Sequence, residues 1–205
     1  MVQDAQGYVH GCPQPVLVNA LRYSAIQFCR RSEAYKYRPP TQNVLAGTAN
    51  YVFALPTDTE VHGYADVKYD GNSITFNDWD NVTVSDPAYP SIQGTPGTFT
   101  YQDPNTLYLV PVPDTAVVSG LLVSLVLRPT LTSAGINTAL ATRYWEAIIH
   151  GAVQRVCLMD KMVWSDAKKA LLHGKLFLAG VSDAYSEAQS DFGAQNSHVK
   201  IRKFR

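Results

Sequence analysis

The sequence predicts an α+β fold, with helices near both ends of the chain and a β-rich middle between them. Two periodicities and one charge count lead to this prediction. Apolar residues recur every three or four positions in residues 16–35, 138–159 and 167–188, which is typical of amphipathic helices. In parts of residues 51–127 they alternate every second position, which is typical of strands. The charge balance changes at nearly the same boundaries.

The middle of the chain is strongly acidic. Between Pro39 and Leu127 the sequence has one base, Lys68, and nine acids, which gives this stretch a net charge of −8. The remaining 16 bases and 8 acids give the flanks a net charge of +8. This segregation indicates that the two parts face different partners or a common charged axis. The alternative is local: β-turns favour Asp, whereas helices favour Lys and Arg.

The first predicted helix runs from about Val16 to Tyr35. Prolines before and after it set its bounds, because proline cannot continue a helix. Its apolar positions are spaced by four, four, three and seven residues and lie on one face: Leu17, Leu21, Ala25, Phe28 and Tyr35.

The β-rich middle contains two predicted hairpins and a central strand. Asp70-Gly71 favours a tight turn between an alternating run that ends at Tyr69 and a return strand at residues 73–76. The second hairpin pairs residues 98–102 with 106–110. Residues 121–127 are apolar almost throughout, which predicts a central strand covered on both faces. Residues 78–97 are rich in Asp, Pro and Gly and predict a long exposed loop.

Two helices are predicted after the β region. One spans about Thr138 to Met159, and Ser165 can cap the start of the other. Gly151 and Gly174 would let neighbouring backbones approach closely. The last helix has a 3.5-residue seam for antiparallel packing against a neighbouring helix, formed by Ala167, Leu171, Gly174, Leu178, Val181, Tyr185 and Ala188.

These elements divide the chain into four parts. Residues 1–38 and 131–192 form a helical bundle of three main helices, one N-terminal and two C-terminal, and residues 39–130 form an inserted antiparallel β domain. Residues 193–205 form an extended basic arm suited to adding onto a partner, with apolar residues for pockets and cations for an acidic surface. The alternative is a disordered tail that aids solubility. The arm's candidate binding residues are Val199, Lys200, Ile201, Arg202, Lys203, Phe204 and Arg205.

The sequence predicts neither an enzyme nor a cofactor or metal site. Its five histidines lack metal-ligand spacing, and phosphate-loop, nucleophile-elbow and zinc-helix motifs are absent from it. Cys29 and Cys157 fit as small buried hydrophobes, and the odd cysteine count favours a reducing compartment. The sequence lacks the long apolar run of a membrane span, and its first twelve residues lack the pattern of a signal peptide.

One acidic stretch remains a candidate surface. Asp78 and Asp80 flank Trp79, and Asp86 follows. A carbohydrate hydrolase could use two acids beside an aromatic platform, but a solvated loop anchored by Trp79 is the favoured interpretation.

Several stretches together resemble the head-to-tail adaptor, or connector, proteins of tailed bacteriophages. The similarity covers nearly the whole chain, and the order of its short motifs is more specific than any one of them. The stretches are Ala20-Leu21, Phe28-Cys29-Arg30, residues 107–114, residues 125–130, residues 144–152 and residues 164–167.

The resemblance implies a structural virion protein without enzymatic activity. Such a protein forms a ring, commonly of twelve copies, under the portal, extends the DNA channel and provides the platform for a tail or nozzle. Its partners would be further copies of itself, the portal protein, and a tail or nozzle protein. DNA would pass without sequence-specific binding, and no membrane would be involved. The acidic loop that contains Asp78, Asp80 and Asp86 would face either the tail protein or the DNA channel, whose wall should repel phosphate. The protein would lie in the virion neck, and in the host cytoplasm during assembly.

Two alternatives stay open. One is another tail or neck component, such as a tail-terminator or tube-like protein. The other is a β-rich glycan-binding module that uses Trp79, Tyr89 and Tyr101 to stack on sugar.

Overall fold

The computed structural model describes residues 1–85 and 88–190 and shows an α+β protein. The described residues form five helices: α1 Val2–Tyr8, α2 Gln14–Ser32, α3 Trp79–Ser85, α4 Thr138–Cys157 and α5 Ala167–Gln189. They also form eleven strands: β1 Lys36–Tyr37, β2 Gln42–Val44, β3 Asn50–Val52, β4 Thr59–Tyr69, β5 Asn72–Ser73, β6 Thr75–Phe76, β7 Gln93–Gly94, β8 Thr98–Thr100, β9 Thr106–Val110, β10 Val112–Pro113 and β11 Val117–Pro129.

Helix α2 confirms the first predicted helix, with both ends two to three residues earlier than expected. Pro15 lies in its first turn, where the missing N–H has no intrahelical partner to lose. Glu33 ends it in the left-handed conformation, with φ 52°, and donates its N–H to the Cys29 carbonyl. Helix α1 was not predicted, because a seven-residue helix has too few apolar positions to show a period.

The long strand β11 lies at the centre of the first sheet. It pairs antiparallel with β4 on one side, from Leu121 opposite Tyr69 to Pro129 opposite Thr59. On its other side it pairs with β1 and β2. The prediction of a central strand is therefore confirmed. Leu122 is an exception to the predicted burial on both faces, because it is 38% exposed.

The Asp70-Gly71 turn forms as predicted, with φ 48° and 78° at its two positions. The return strand is only partly as predicted. Residues 72–73 pair with β4, whereas Thr75 and Phe76 belong to the second sheet, where they pair with β8. The chain thus crosses between the two sheets at Ile74, which donates its N–H to the Val67 carbonyl.

The second sheet has the order β3-β9-β8-β6, and its β8–β9 pair confirms the second hairpin. Most strand pairs of the β region are antiparallel, as predicted, but two short pairs are not. Strands β6 and β8 pair parallel, as do β7 and β10 in a separate two-stranded sheet. Residues 78–97 are likewise not one loop, because they contain α3 and β7.

Helices α2, α4 and α5 pack against one another, and α2 also packs on β11. One hydrophobic cluster includes side chains from these helices and from both larger sheets. The division of the chain into four parts stays a prediction.

The predicted seam of α5 is partly wrong. Gly174, Val181 and Ala188 are buried as expected. However, the remaining buried positions are Ala170, His173, Phe177 and Ala184. The large seam residues face outward: Leu171, Leu178 and Tyr185 are 64, 53 and 44% exposed. The helix therefore carries two apolar stripes, and the one with smaller residues faces α2 and α4.

The predicted cap of α5 is also wrong by one residue. The Asp166 carboxylate accepts from the Lys169 N–H at 3.0 Å, so Asp166 is the cap. Ser165 instead closes the α4–α5 connection: its hydroxyl donates to the Met159 carbonyl and accepts from the Met162 N–H.

The predicted close approach at Gly151 is confirmed. A Cβ there would lie 2.3 Å from Ser24 Oγ and 2.7 Å from a ring carbon of Phe177. A Cβ at Gly174 would meet the Gln154 side chain at 2.6 Å. Gly151 thus sets how closely α4 can lie against α2 and α5.

We expect Gly151→Ala to lower the free energy of unfolding by about 1 to 3 kcal/mol, because the methyl group overpacks the contact among α2, α4 and α5. Denaturant unfolding measures this. Gly7→Ala is the matched control, since Gly7 is helical and a Cβ there meets no atom within 4 Å. That variant should gain about 0.5 to 1 kcal/mol. Equal effects at both positions would contradict the packing explanation.

Candidate interaction surfaces

Helix α3 holds the acidic candidate residues at the surface. The Trp79 ring packs edge-on against Tyr108, with 5.0 Å between centroids, and contacts Tyr89 at 6.0 Å. Val82, one turn later, is 2% exposed. These two side chains anchor the helix to the protein, whereas Asp78 and Asp80 are exposed. The interpretation of Trp79 as an anchor is supported, and Asp86 lies outside the described residues.

The three aromatic residues of the glycan-binding alternative do not form one platform. Trp79 contacts Tyr89, but Tyr101 belongs to another group of rings, 5.2 Å from Tyr64 and 5.1 Å from Phe76. In residues 1–85 and 88–190, Tyr101 has no ring contact with Trp79 or Tyr89. The described geometry therefore gives this alternative no support.

A groove of about 300 Å³ lies among α2, α4 and α5. Six of its lining residues define its chemistry: Tyr23, Arg31, Arg155, Leu158, Phe177 and Leu178. The Arg155 guanidinium carbon lies 4.4 Å from the centroid of the Tyr23 ring, a cation–π geometry. Within the described part of the chain, neither Arg31 nor Arg155 forms an ion pair. The groove therefore combines apolar side chains with two arginine cations.

The outward stripe of α5 continues this surface. Leu178 belongs both to the groove lining and to the stripe with Leu171 and Tyr185. Leu158, at the end of α4, is 62% exposed. Contiguous exposed apolar side chains next to cations are typical of a protein-binding surface.

A histidine pair links α4 and α5 beside α1. The Nδ1 atoms of His150 and His173 lie 2.9 Å apart, so one neutral ring donates and the other accepts. The Tyr8 ring packs edge-on against His173 at 4.9 Å, and Lys169 donates to the Tyr8 carbonyl at 2.8 Å. This pair was not predicted, because the two residues are 23 positions apart and meet only through helix packing.

Burial lowers the pKa of both imidazoles. For His173 the neighbouring His150 and the charge of Lys169 lower it further, whereas Glu146 raises that of His150. Among the described residues, no cluster of three or more His, Cys, Asp or Glu side chains could hold a metal ion. The pair is thus a packing contact, and burial favours the neutral form of both rings.

The predicted burial of Cys29 and Cys157 is confirmed. Burial raises the pKa of the Cys29 thiol to about 12, so it stays protonated. In the described ranges, none of the helices combines the length and apolar character needed to cross a membrane. The seven candidate residues of the arm, 199–205, lie outside the described residues.

The fold places its acidic and its cationic–apolar features on separate surfaces, an arrangement suited to a structural protein that binds other proteins. The family model described as SU10 adaptor protein matches residues 5–199. The chain belongs to the SU10 adaptor protein family, a family of structural adaptors of bacteriophages, as the resemblance to head-to-tail adaptors predicted. Among curated proteins, none matches the chain. Family membership makes the chain a structural component of a phage virion.

We expect the histidine pair to make stability depend on pH. Both folded pKa values lie below the unfolded value of about 6.5. Stability is therefore fully present above about pH 6.5 and falls as the pH drops, because the unfolded chain takes up protons that the folded chain excludes. Each such proton contributes a slope of at most about 1.4 kcal/mol per pH unit. Denaturant unfolding between pH 8 and pH 5 measures the slope.

His173→Asn should flatten this slope, since the amide can replace Nδ1 as a donor or acceptor but does not titrate. Comparison at pH 8, where both rings are neutral, isolates the packing effect of the substitution. An unchanged slope in the variant would show that the pair does not carry the pH dependence.

Proposed function

We propose that the chain is a head-to-tail adaptor that forms a ring of twelve copies beneath the portal. The ring extends the DNA channel and provides the platform for a tail or nozzle protein, and DNA passes through without sequence-specific binding. The family match over residues 5–199 carries this proposal.

In this proposal the packed helices α2, α4 and α5 form the helical part, into which residues 39–130 are inserted as a β-rich part. A ring subunit must keep its shape while it contacts two neighbours. The close approach at Gly151 and the buried hydrogen bond from Ser24 Oγ to the Ile148 carbonyl, 2.6 Å long, support such a role because they fix α2 against α4.

The basic arm, residues 193–205, is the proposed contact with the portal protein. Val199, Ile201 and Phe204 would fill pockets on the portal, while the four cations would meet acidic groups there. An arm that orders only on docking couples folding to binding, which would keep free subunits from assembling early.

We expect deletion of residues 196–205 to leave a folded protein that no longer joins the portal. Circular dichroism checks the fold, and co-sedimentation with portal particles measures binding.

Two matched variants separate the contributions of the apolar residues and of the cations of the arm. Replacing Val199, Ile201 and Phe204 with Ser keeps the charge, and replacing the four cations with Gln keeps the apolar residues. Each should weaken binding, and the cation variant should lose its salt dependence. Portal binding retained by the truncated chain would refute the role of the arm.

Electron microscopy of the chain bound to portal particles tests the ring itself. We expect one layer of twelve copies directly under the portal, around an open channel. A layer found elsewhere in the tail would instead favour a tail-terminator or tube-like component.

A further inference from the structure

Two exposed surfaces of the chain have complementary chemistry. One is the groove among α2, α4 and α5, in the basic part of the sequence. The other is the outward side of α3, in the acidic part. The question is whether each can serve as the other's partner.

The groove offers cations next to apolar side chains. Arg31 and Arg155 are exposed and form no ion pair with any described carboxylate. Leu158 and Leu178 are more than half exposed beside them. A groove lined by Tyr, Arg and Leu side chains suits a ligand that has acidic groups next to an apolar group.

The outward side of α3 has these groups. Asp78 immediately precedes the helix, and Asp80 lies in its first turn; both are exposed. Val84, one turn after Asp80, is 78% exposed. Because Trp79 and Val82 hold the opposite side of the helix against the protein, Asp80 and Val84 are presented together. An exposed valine beside the Asp80 carboxylate, with a second exposed carboxylate at the start of the helix, complements the groove in both charge and polarity.

Within one copy, α3 does not line the groove. Helix α3 packs through Trp79 on Tyr108 of β9 in the second sheet. The groove lies among helices, of which α2 packs on β11 in the first sheet. None of the residues lining the groove comes from α3. A contact between the two surfaces would therefore join two copies.

We infer that α3 of one copy docks into the groove of the next copy, with Asp78 and Asp80 facing Arg31 and Arg155 and with Val84 against Leu158 and Leu178. The inference rests on the proposed ring and names the surfaces through which its subunits meet. Two different surfaces of the same chain form a heterologous contact, which can repeat around a closed ring. Removal of water from the arginines and carboxylates strengthens their attraction beyond that of exposed ion pairs.

Charge reversal tests the pairing. We expect Arg31→Glu with Arg155→Glu, or Asp78→Lys with Asp80→Lys, each to weaken association between copies at least about tenfold. Combining all four substitutions should restore it. Sedimentation velocity of the full chain and the number of copies per portal particle measure association. Asp66→Lys with Asp70→Lys is the matched control, because both acids lie at the β4–β5 hairpin, where Asp70 is exposed and Asp66 is partly exposed. Circular dichroism confirms that each variant folds.

Cross-linking tests the location directly. A chain with Val84→Cys, mixed with a chain carrying Leu158→Cys and oxidised on portal particles, should give disulfide-linked dimers. The native cysteines are buried and do not compete. In the control, a chain with Val52→Cys replaces the chain with Leu158→Cys. Val52 is about as exposed as Leu158, and this mixture should give few dimers. The inference is wrong if the control cross-links as well as Leu158→Cys does, or if Leu158→Cys gives no dimers. It is also wrong if the charge reversals leave association between copies unchanged.

The two proposals can fail separately. If wild-type rings form on the portal but the four charge reversals and the cross-link have no effect, the docking of α3 is wrong and the adaptor function stands. If the wild-type chain forms no ring with the portal, both are wrong.

Discussion

The packing of α2 determines most of the architecture. This helix contacts β11 of the first sheet as well as α4, α5 and α1, so it joins the helical layer to the sheet. Leu17 and Phe28 are fully buried in this junction. Ser24 lies at the contact with α4, where its hydroxyl donates to the Ile148 carbonyl and where Gly151 leaves space for it. Because a side chain at position 151 would occupy the place of Ser24 Oγ, the distance between α2 and α4 is tightly constrained.

This junction also joins oppositely charged parts of the chain. The net charge of zero conceals a −8 middle and +8 flanks. The described structure assigns these charges to different layers, with the acids of α3 on the second sheet and the arginines of the groove on the helices. In the proposed ring, charge segregation of this kind would favour contacts between copies over contacts within a copy and would orient the copies head to tail.

The sequence predicted the elements whose signals are local. The period of α2, the Asp70-Gly71 turn and the apolar run in β11 each identified their element. Helix α5 shows the limit: Leu171, Leu178 and Tyr185 have the spacing of a core stripe, yet the buried face uses Ala170, Phe177 and Ala184. Small residues pack closely but give a weak hydrophobic signal. The His150–His173 contact could not be predicted, because it depends on how α4 and α5 align. For the candidate surfaces, the sequence identified Asp78, Trp79 and Asp80, but not the groove, which three separate helices assemble.

The crossing at Ile74 has a mechanical consequence. Strands β5 and β6 belong to different sheets and are separated by this one residue, which is nearly buried and hydrogen-bonded to Val67. A connection of one residue leaves little room for the two sheets to move relative to each other. Force applied at α3, three residues beyond β6, therefore passes almost directly into β4 and its ladder with β11. In the proposed adaptor ring, such a subunit would transmit strain through its whole body instead of yielding at this crossing.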